Sequence, residues 1–324
     1  MDIKIVRYNP EYKMLWNNFV DKEKSPFFFN RDFMEYHGNK FQDHSTILFY
    51  KEKPAVIFPT HQYQDSIFSH KGLSFGGFII DSSFGSEITF RFCRSLMHYY
   101  KNAGFSSCFY KKVPLFYNNY LAQSDDFFLF QSNAKLESRE TNLVIPLQES
   151  YKLQERKRRT IQKATDARLS FTESDQWENF WEVLTENLQS RHKTRPVHSI
   201  SEIRNLKELF PKNIRLFTAI QNKKILAGSV LFIHPNVIHS QYIASTIEGR
   251  NDGAVDFLFK NLIEKFSNYA WFSLGVSSLR EGGKVNKGLT EWKEGFGAIP
   301  FSHDYYKINL NNLDFYQQVY QKVI

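Results

Sequence analysis

An α/β (α+β) chain of two domains in tandem is the fold class this sequence predicts, on three observations. Its 324 residues leave room for two domains of ordinary size. Hydrophobic residues at 42% and charged residues at 23% are globular proportions, and 32 Phe can fill two sizeable cores. The third observation is order: the same series of elements runs twice, dividing the chain at about 1–148 and 149–324.

The first pass opens with a strand, "IKIVRY" (3–8), and a helix over 10–24, with Pro10 at its start and Met14, Leu15 and Phe19 at helical spacing. A second helix is expected near "RDFMEYHG" (31–38). Alternating β-rich runs follow at 45–50, 54–60 and 66–75. A long helix over 84–103 carries Ile88, Phe92, Leu96, Tyr99 and Tyr100, and Gly104 stops it. Then come a strand at 105–112, a short helix from Pro114, and strands "FFLFQ" (127–131) and "TNLVIPL" (141–147).

The second pass repeats this order after a basic helix at about 151–168. "LSFTE" (169–173) is the strand and 175–192 the helix, with Asp175 and Glu178 spaced as a capping box. A second helix covers 199–211, and three strands follow in "IRLFTAI", "ILAGSVLFI" and "VIHSQYIAS". The long helix is expected over 252–270, then strand "WFSLGVSS", the short helix "NKGLTEWKEGFG" and strand "YYKINL". An amphipathic piece at 312–323 closes the chain. The two passes share little residue identity, so two unrelated α/β domains with a coincident order stay open.

No apolar run approaches eighteen residues, so no membrane-spanning helix is expected. "MDIKIVRYNP" lacks an apolar signal core, which points to a cytoplasmic protein. Cys93 and Cys108 sit among apolar neighbours and read as buried free thiols. A net charge of +8 suits an anionic partner such as a nucleotide, RNA or an anionic membrane surface. The stretch 151–168 alone carries seven Lys or Arg against two acids. On a helix Lys152, Arg156, Arg159 and Lys163 fall on one stripe, which either holds phosphates or faces water. The ten His show no metal-ligand spacing, and no metal is expected.

Two motifs carry a family resemblance. "RKRRTIQKA" is similar to an R-R-x-I-x-K-A helix, with Arg158, Arg159, Ile161, Lys163 and Ala164 in place. "LTEWKEGFGA" resembles an F-K-x-x-F-G segment, with Trp292 for the aromatic and Lys293, Phe296 and Gly297 matching. Both, with the repeated element order, resemble the FemAB-like group of tandem GNAT acyltransferases. "SHKGLSFGG" (69–77) is similar to a Gly-containing stretch of that group's first domain. The resemblance implies two GNAT-like domains, each a mixed, mostly antiparallel sheet flanked by helices. It also implies transfer of an acyl or aminoacyl group to a small-molecule or peptide amine, the donor being a coenzyme A thioester or aminoacyl-tRNA. A non-catalytic GNAT-fold module binding an anionic ligand or RNA is the alternative. One departure stands out. Acetyltransferases of this fold carry Q/R-x-x-G-x-G/A before the long helix, and here the place reads "ASTIEGRNDGAV", with altered glycine spacing.

The expected site residues follow. Ser245, Gly249, Arg250, Asn251, Asp252 and Gly253 precede the long helix, where free N–H groups and the helix dipole favour the donor's phosphates. Asn251 or Asp252 is expected to cap that helix. Tyr242 and Ser245, near the end of the central strand, can donate toward the acyl group. Glu248 is a nearby proton acceptor, with Asp252 the other carboxylate, and Lys293 a cation for developing negative charge. Arg156, Arg159 and Lys163 are expected to hold substrate or tRNA phosphates.

Overall fold

The computed structural model of the protein describes residues 2–36, 38–118, 123–149, 153–278 and 284–313. The chain forms two units: Met1–Glu140 with the stretch from Ser302 onward, and Thr141–Phe301.

The first unit begins with β1 (Ile3–Arg7), a 3-10 turn at Pro10–Tyr12 capped by Asn9, and α1 (Lys13–Lys22). Then come α2 (Arg31–Glu35), β2 (Gln42–Asp43), β3 (Thr46–Tyr50), β4 (Lys53–Phe58), β5 (Thr60–Tyr63), β6 (Ser66–Ser69) and β7 (Ile79–Ile80). They lead into α3 (Ser86–Asn102), β8 (Ser107–Lys111) and α4 (Ser124–Gln131). Strands β1, β3, β4 and β7 form an antiparallel sheet. Strands β2, β5 and β6 pair antiparallel, and β6 pairs parallel with β8. Phe92, Cys93, Leu96 and Tyr100 of α3 recur at helical spacing and bury themselves against Val56, Phe58 and Cys108. Both cysteines are free thiols in this core, and burial pushes both pKa values up.

Several expectations need correction here. "FFLFQ", read as a strand, lies in α4. Four apolar residues in a row fit either state, and the two acids just before them favour a helical first turn. Phe128 and Leu129 face the core while Phe127 and Phe130 stay exposed. The run 66–75 pairs only through Ser69, and the helix after Pro114 is a 3-10 turn at Leu115–Tyr117.

Strand β9 (Lys135–Pro146) carries the chain into the second unit. There follow α5 (Glu155–Asp166), β10 (Ser170–Glu173), α6 (Trp177–His192), α7 (Ile200–Leu209), β11 (Ile214–Gln221), β12 (Lys224–Ile233) and β13 (Val237–Ser245). Next are α8 (Ile247–Asn251), α9 (Ala254–Lys265), β14 (Trp271–Val276), α10 (Lys287–Glu294) and β15 (Ile299–Asn309). The sheet order is β10-β11-β12-β13-β14-β9, antiparallel except for β13 against β14. Leu258, Phe259 and Leu262 of α9 pack with Phe272, Leu274 and Phe296 in its core.

Strand β15 pairs with β8 from Tyr305↔Lys111 to Asn309↔Ser107, inside the first unit, whereas Asn142–Pro146 of β9 pair with β14 inside the second. The last strand of each pass belongs to the unit built by the other, so the units are not the contiguous halves 1–148 and 149–324. The basic helix is α5; residues 150–152 and 314–324, including most of the expected closing piece, lie outside the described residues.

Helix α6 starts at Trp177 with no side-chain cap, so the Asp175–Glu178 box is not made. A capping box does form at α7: Ser199 Oγ accepts from Glu202 N–H, and Glu202 accepts from Ser199 N–H. The long helix is shorter than expected. Gly253, at φ +73°, separates it from α8, so neither Asn251 nor Asp252 caps it. A Cβ on Gly253 would come within 2.5 Å of the Thr160 carbonyl oxygen on α5. Gly253→Ala is therefore expected to cost more than about 2 kcal/mol in urea denaturation, from strain and overlap together.

Candidate functional site

In the second unit, two strands lose their regular pairing at the same level. Val230 of β12 pairs with Tyr242 and Leu231 with Ser240, leaving Gln241 as an extra residue in β13. The parallel pairing of β13 with β14 covers only Val237↔Trp271 to His239↔Ser273, although both strands run on. Beyond that level the carbonyls of β14 are met by a side chain instead. Lys293 Nζ donates to Gly275 O at 2.9 Å and to Val276 O at 2.8 Å.

Lys293 lies in the last turn of α10, whose N-terminus Asn286 caps through a hydrogen bond from Leu289 N–H. The side chain is almost wholly buried, at 2% exposure. Burial lowers its pKa to about 7, so it holds or gives up a proton near neutrality. His239, bonded through Nδ1 to Ser273 Oγ at 3.1 Å, has its pKa lowered to about 4 by burial and by the charge of Lys293. His239 is accordingly neutral beside the lysine. Ser277 Oγ is buried nearby in sequence and makes no hydrogen bond.

Tyr242 is buried on β13, edge-on to Trp181 of α6 at 5.2 Å between centroids. Its hydroxyl lies 2.5 Å from His198 Nδ1 and accepts from His198 N–H at 3.3 Å. Burial pushes its pKa up to about 12, so the phenol stays protonated and can donate. Ser245, at the strand end, is buried, and its carbonyl accepts from Asn187 Nδ2 of α6 at 3.0 Å.

The segment 245–254 is built for close packing. Thr246 Oγ1 caps α8 by accepting from Gly249 N–H at 2.9 Å. A Cβ on Gly249 would sit 2.2 Å from Leu226 O, so β12 requires glycine there. Glu248 pairs with Lys224 at 2.7 Å on the surface. An open cavity of about 650 Å³ beside α8 is lined by Glu186, Glu248, Asp252 and Lys224, among others. Arg250 has one buried nitrogen, Nη1, with no hydrogen-bond partner.

Helix α5 divides its charges. Arg156 and Arg159 are exposed, as is Arg158. Lys163 Nζ donates to Asn251 O at 2.8 Å and lies 3.5 Å from Asp252, closing the C-terminus of α8. Lys157, on the face of Ile161 and Ala164, is buried: it pairs with Asp256 Oδ1 at 2.7 Å and lies over the rings of Trp292 and Phe296. The same Oδ1 accepts from Trp292 Nε1 at 2.8 Å. This knot ties α5, α9 and α10 together and so sets where Lys293 begins its reach.

The expected residues thus fall into three places: Lys293 at the parted strands, Tyr242 with His198, and the α8 segment with Lys163. Among the described residues, Tyr242, Glu248 and Lys293 share no hydrogen bond or ion pair. The sequence reading missed Lys157, His198 and His239. Lys157 had a signal, since it stands four residues from both Leu153 and Ile161 on the apolar side. His198 and His239 had none, because only the fold brings them to Tyr242 and Lys293. Among the described residues, no group of three or more His, Cys, Asp or Glu is placed to hold a metal. No described helix is long and apolar enough to cross a membrane.

Residues 152–294 match the family model described as an acetyltransferase (GNAT) domain. Among solved structures, the chain is similar to FemX, with 12% identity, a TM-score of 0.68, and coverage of 98% of this chain and 100% of that one. It is similar to the C-terminal domain of a putative lysylphosphatidylglycerol synthetase from Agrobacterium fabrum, at 12% identity and TM-score 0.62, covering 93% and 92%. A tandem GNAT protein from the clavulanic acid biosynthesis pathway gives 8% identity and TM-score 0.50, over 95% and 98%. At such identities the likeness is one of fold. A comparison with curated proteins found no match.

Proposed function

We propose that this chain, a FemAB-like GNAT-fold protein with a GNAT acetyltransferase domain at 152–294, transfers an acyl or aminoacyl group from a carrier to an amine. Lys293 is the observation that carries the reading: a buried lysine, poised near neutrality, where β13 and β14 part. In the transfer, the amine nitrogen bonds to the carbonyl carbon and the carbon's bond to the carrier oxygen or sulfur breaks. One proton passes from the amine to the leaving atom. Negative charge gathers meanwhile on the carbonyl oxygen, and a cation in a dry site stabilises it strongly. We assign that task to the Lys293 ammonium, and a second donor to Tyr242, which His198 orients. Glu248, engaged by Lys224 at the surface, is left out of this machinery.

Aminoacyl-tRNA is the carrier we favour over a coenzyme A thioester. The N–H of Gly249 is already used by Thr246, and the cavity beside α8 sets three carboxylates, Glu186, Glu248 and Asp252, against one lining cation, Lys224, a net negative wall that disfavours a pyrophosphate. Helix α5 instead offers Arg156, Arg158 and Arg159 to solvent. Titration with uncharged tRNA across a salt series tests this. The double variant Arg156→Ala, Arg159→Ala is expected to lower the salt slope by about 2 and to weaken binding at least about tenfold. Binding of coenzyme A without tRNA, lost in Arg250→Ala, would instead support the thioester donor. A non-catalytic binding module is the second reading, favoured by the two carbonyls that already occupy Lys293. It expects bound ligand, no product, and indifference to loss of Lys293.

A further inference from the structure

The first unit contains a cavity of about 300 Å³, bounded by the segment joining α1 to α2, the end of β7 with its loop to α3, and α4. Phe29, Phe78, Phe84 and Tyr117 are among its walls. Its charged groups are the carboxylates of Glu23, Asp81 and Asp125, with Lys24 exposed at the rim.

The three carboxylates differ in how far they are satisfied. Asp81 is fully engaged, by Lys22 at 2.6 Å, by Ser83 N–H at 3.0 Å and by the Ser83 hydroxyl at 2.6 Å. Asp125 accepts from the Tyr110 hydroxyl at 2.7 Å; burial raises its pKa, against the charge of Lys112. Glu23 is the unfinished one. Its side chain is 94% buried, being 6% exposed. Oε2 accepts from Ser82 N–H at 3.0 Å, whereas Oε1 is buried and accepts no hydrogen bond. The charge facing Oε1 is Lys22 Nζ at 3.5 Å, and that lysine already donates to Asp81.

A buried carboxylate oxygen whose one cation lies 3.5 Å away and is shared with Asp81 is short of donors, and a polar group left short inside a folded protein calls for a further partner. Acceptor oxygens among aromatic faces suit a group with several N–H donors and a positive charge. We propose that this cavity binds the ammonium group of a small organic amine, with Glu23 Oε1 as its acceptor and the aromatic walls around its alkyl part. The volume stands at the lower end of ligand pockets, which limits the ligand to a small molecule. An anion is disfavoured by like charge, and an alcohol offers a single donor without charge. This inference is independent of acyl transfer in the second unit: an amine held here is a ligand whether or not it is acylated.

Calorimetric titration of the full chain at neutral pH with pentylamine, pentanol and pentanoate tests it. One saturable site for pentylamine is expected, with pentanol and pentanoate at least about tenfold weaker. Glu23→Gln, whose amide oxygen still accepts from Ser82, is expected to weaken pentylamine about tenfold. Ser25→Trp, which obstructs the cavity, is expected to abolish binding with an unchanged circular dichroism spectrum. Absence of a saturable site overturns the proposal, as does pentanol binding as tightly as pentylamine. So does pentylamine binding that both variants leave untouched.

Discussion

Lys293→Met is expected to lower the rate of amide formation by about a hundredfold or more, the usual loss when one donor to a developing oxyanion is removed. The group is buried at 2% exposure, so water does not screen the charge it offers. Its pKa of about 7 gives the effect a pH signature. In the proposed role the ammonium is the active form, so kcat is expected to fall as pH rises through about 7 on account of this group. Lys293→Arg keeps the charge at every accessible pH and is expected to remove that descending limb. Stability gives a second reading with a defined sign. The folded pKa lies below the unfolded value of 10.5, so between about 7 and 10.5 the unfolded chain binds more protons. Stability therefore rises with pH across that window, and the burial cost is full below it. Lys293→Met is expected to flatten the rise in urea denaturation at pH 7 and 9, which separates a folding defect from a catalytic one.

Asp256→Ala is expected to cost about 3–5 kcal/mol, since it leaves the buried Lys157 ammonium without its counter-charge. The side chains of Lys157 and Asp256 are 8% and 11% exposed, and Trp292 donates to the same carboxylate oxygen. Burial already lowers the Lys157 pKa against the opposing pull of Asp256, so without Asp256 the lysine sheds its proton more readily. Adding Lys157→Met removes the orphaned charge, and the double variant is expected to lose less than the sum of the single losses. Chemical denaturation of the three variants measures this coupling. The knot also positions α10, so Asp256→Ala is expected to lower kcat at temperatures where the protein remains folded.

The order of elements was legible because period and punctuation carry it: helical spacing in α3 and α9, alternation in β11 to β13, and Gly104 as a stop. What escaped was either short or non-local. The four apolar residues inside α4 fit both helix and strand until Phe128 and Leu129 find a core. The assignment of β9 and β15 to opposite units depends on pairing across more than a hundred residues, which no local pattern records. The basic stretch was visible as charge but not as three different jobs. Lys157 is a core ion pair, Lys163 closes a helix end, and Arg156 and Arg159 face solvent. Gly249 and Gly253 stood out as loop glycines, whereas contacts with Leu226 and Thr160 explain them. Lys293 was found through its motif. Its burial and its two carbonyl partners belong to the fold alone.

The most direct test of acyl transfer is mass-spectrometric detection of amide product. The protein is incubated with a mixture of aminoacyl-tRNAs and a panel of primary amines, beside the same reaction with acetyl-CoA and the same reactions with Lys293→Met. Amide formed from the tRNA-borne donor by the wild-type chain, and slower by about a hundredfold in the variant, is the expected result. Equal amide yields from wild type and Lys293→Met would contradict the role given to Lys293, and no amide from either donor above the protein-free background would contradict acyl transfer itself.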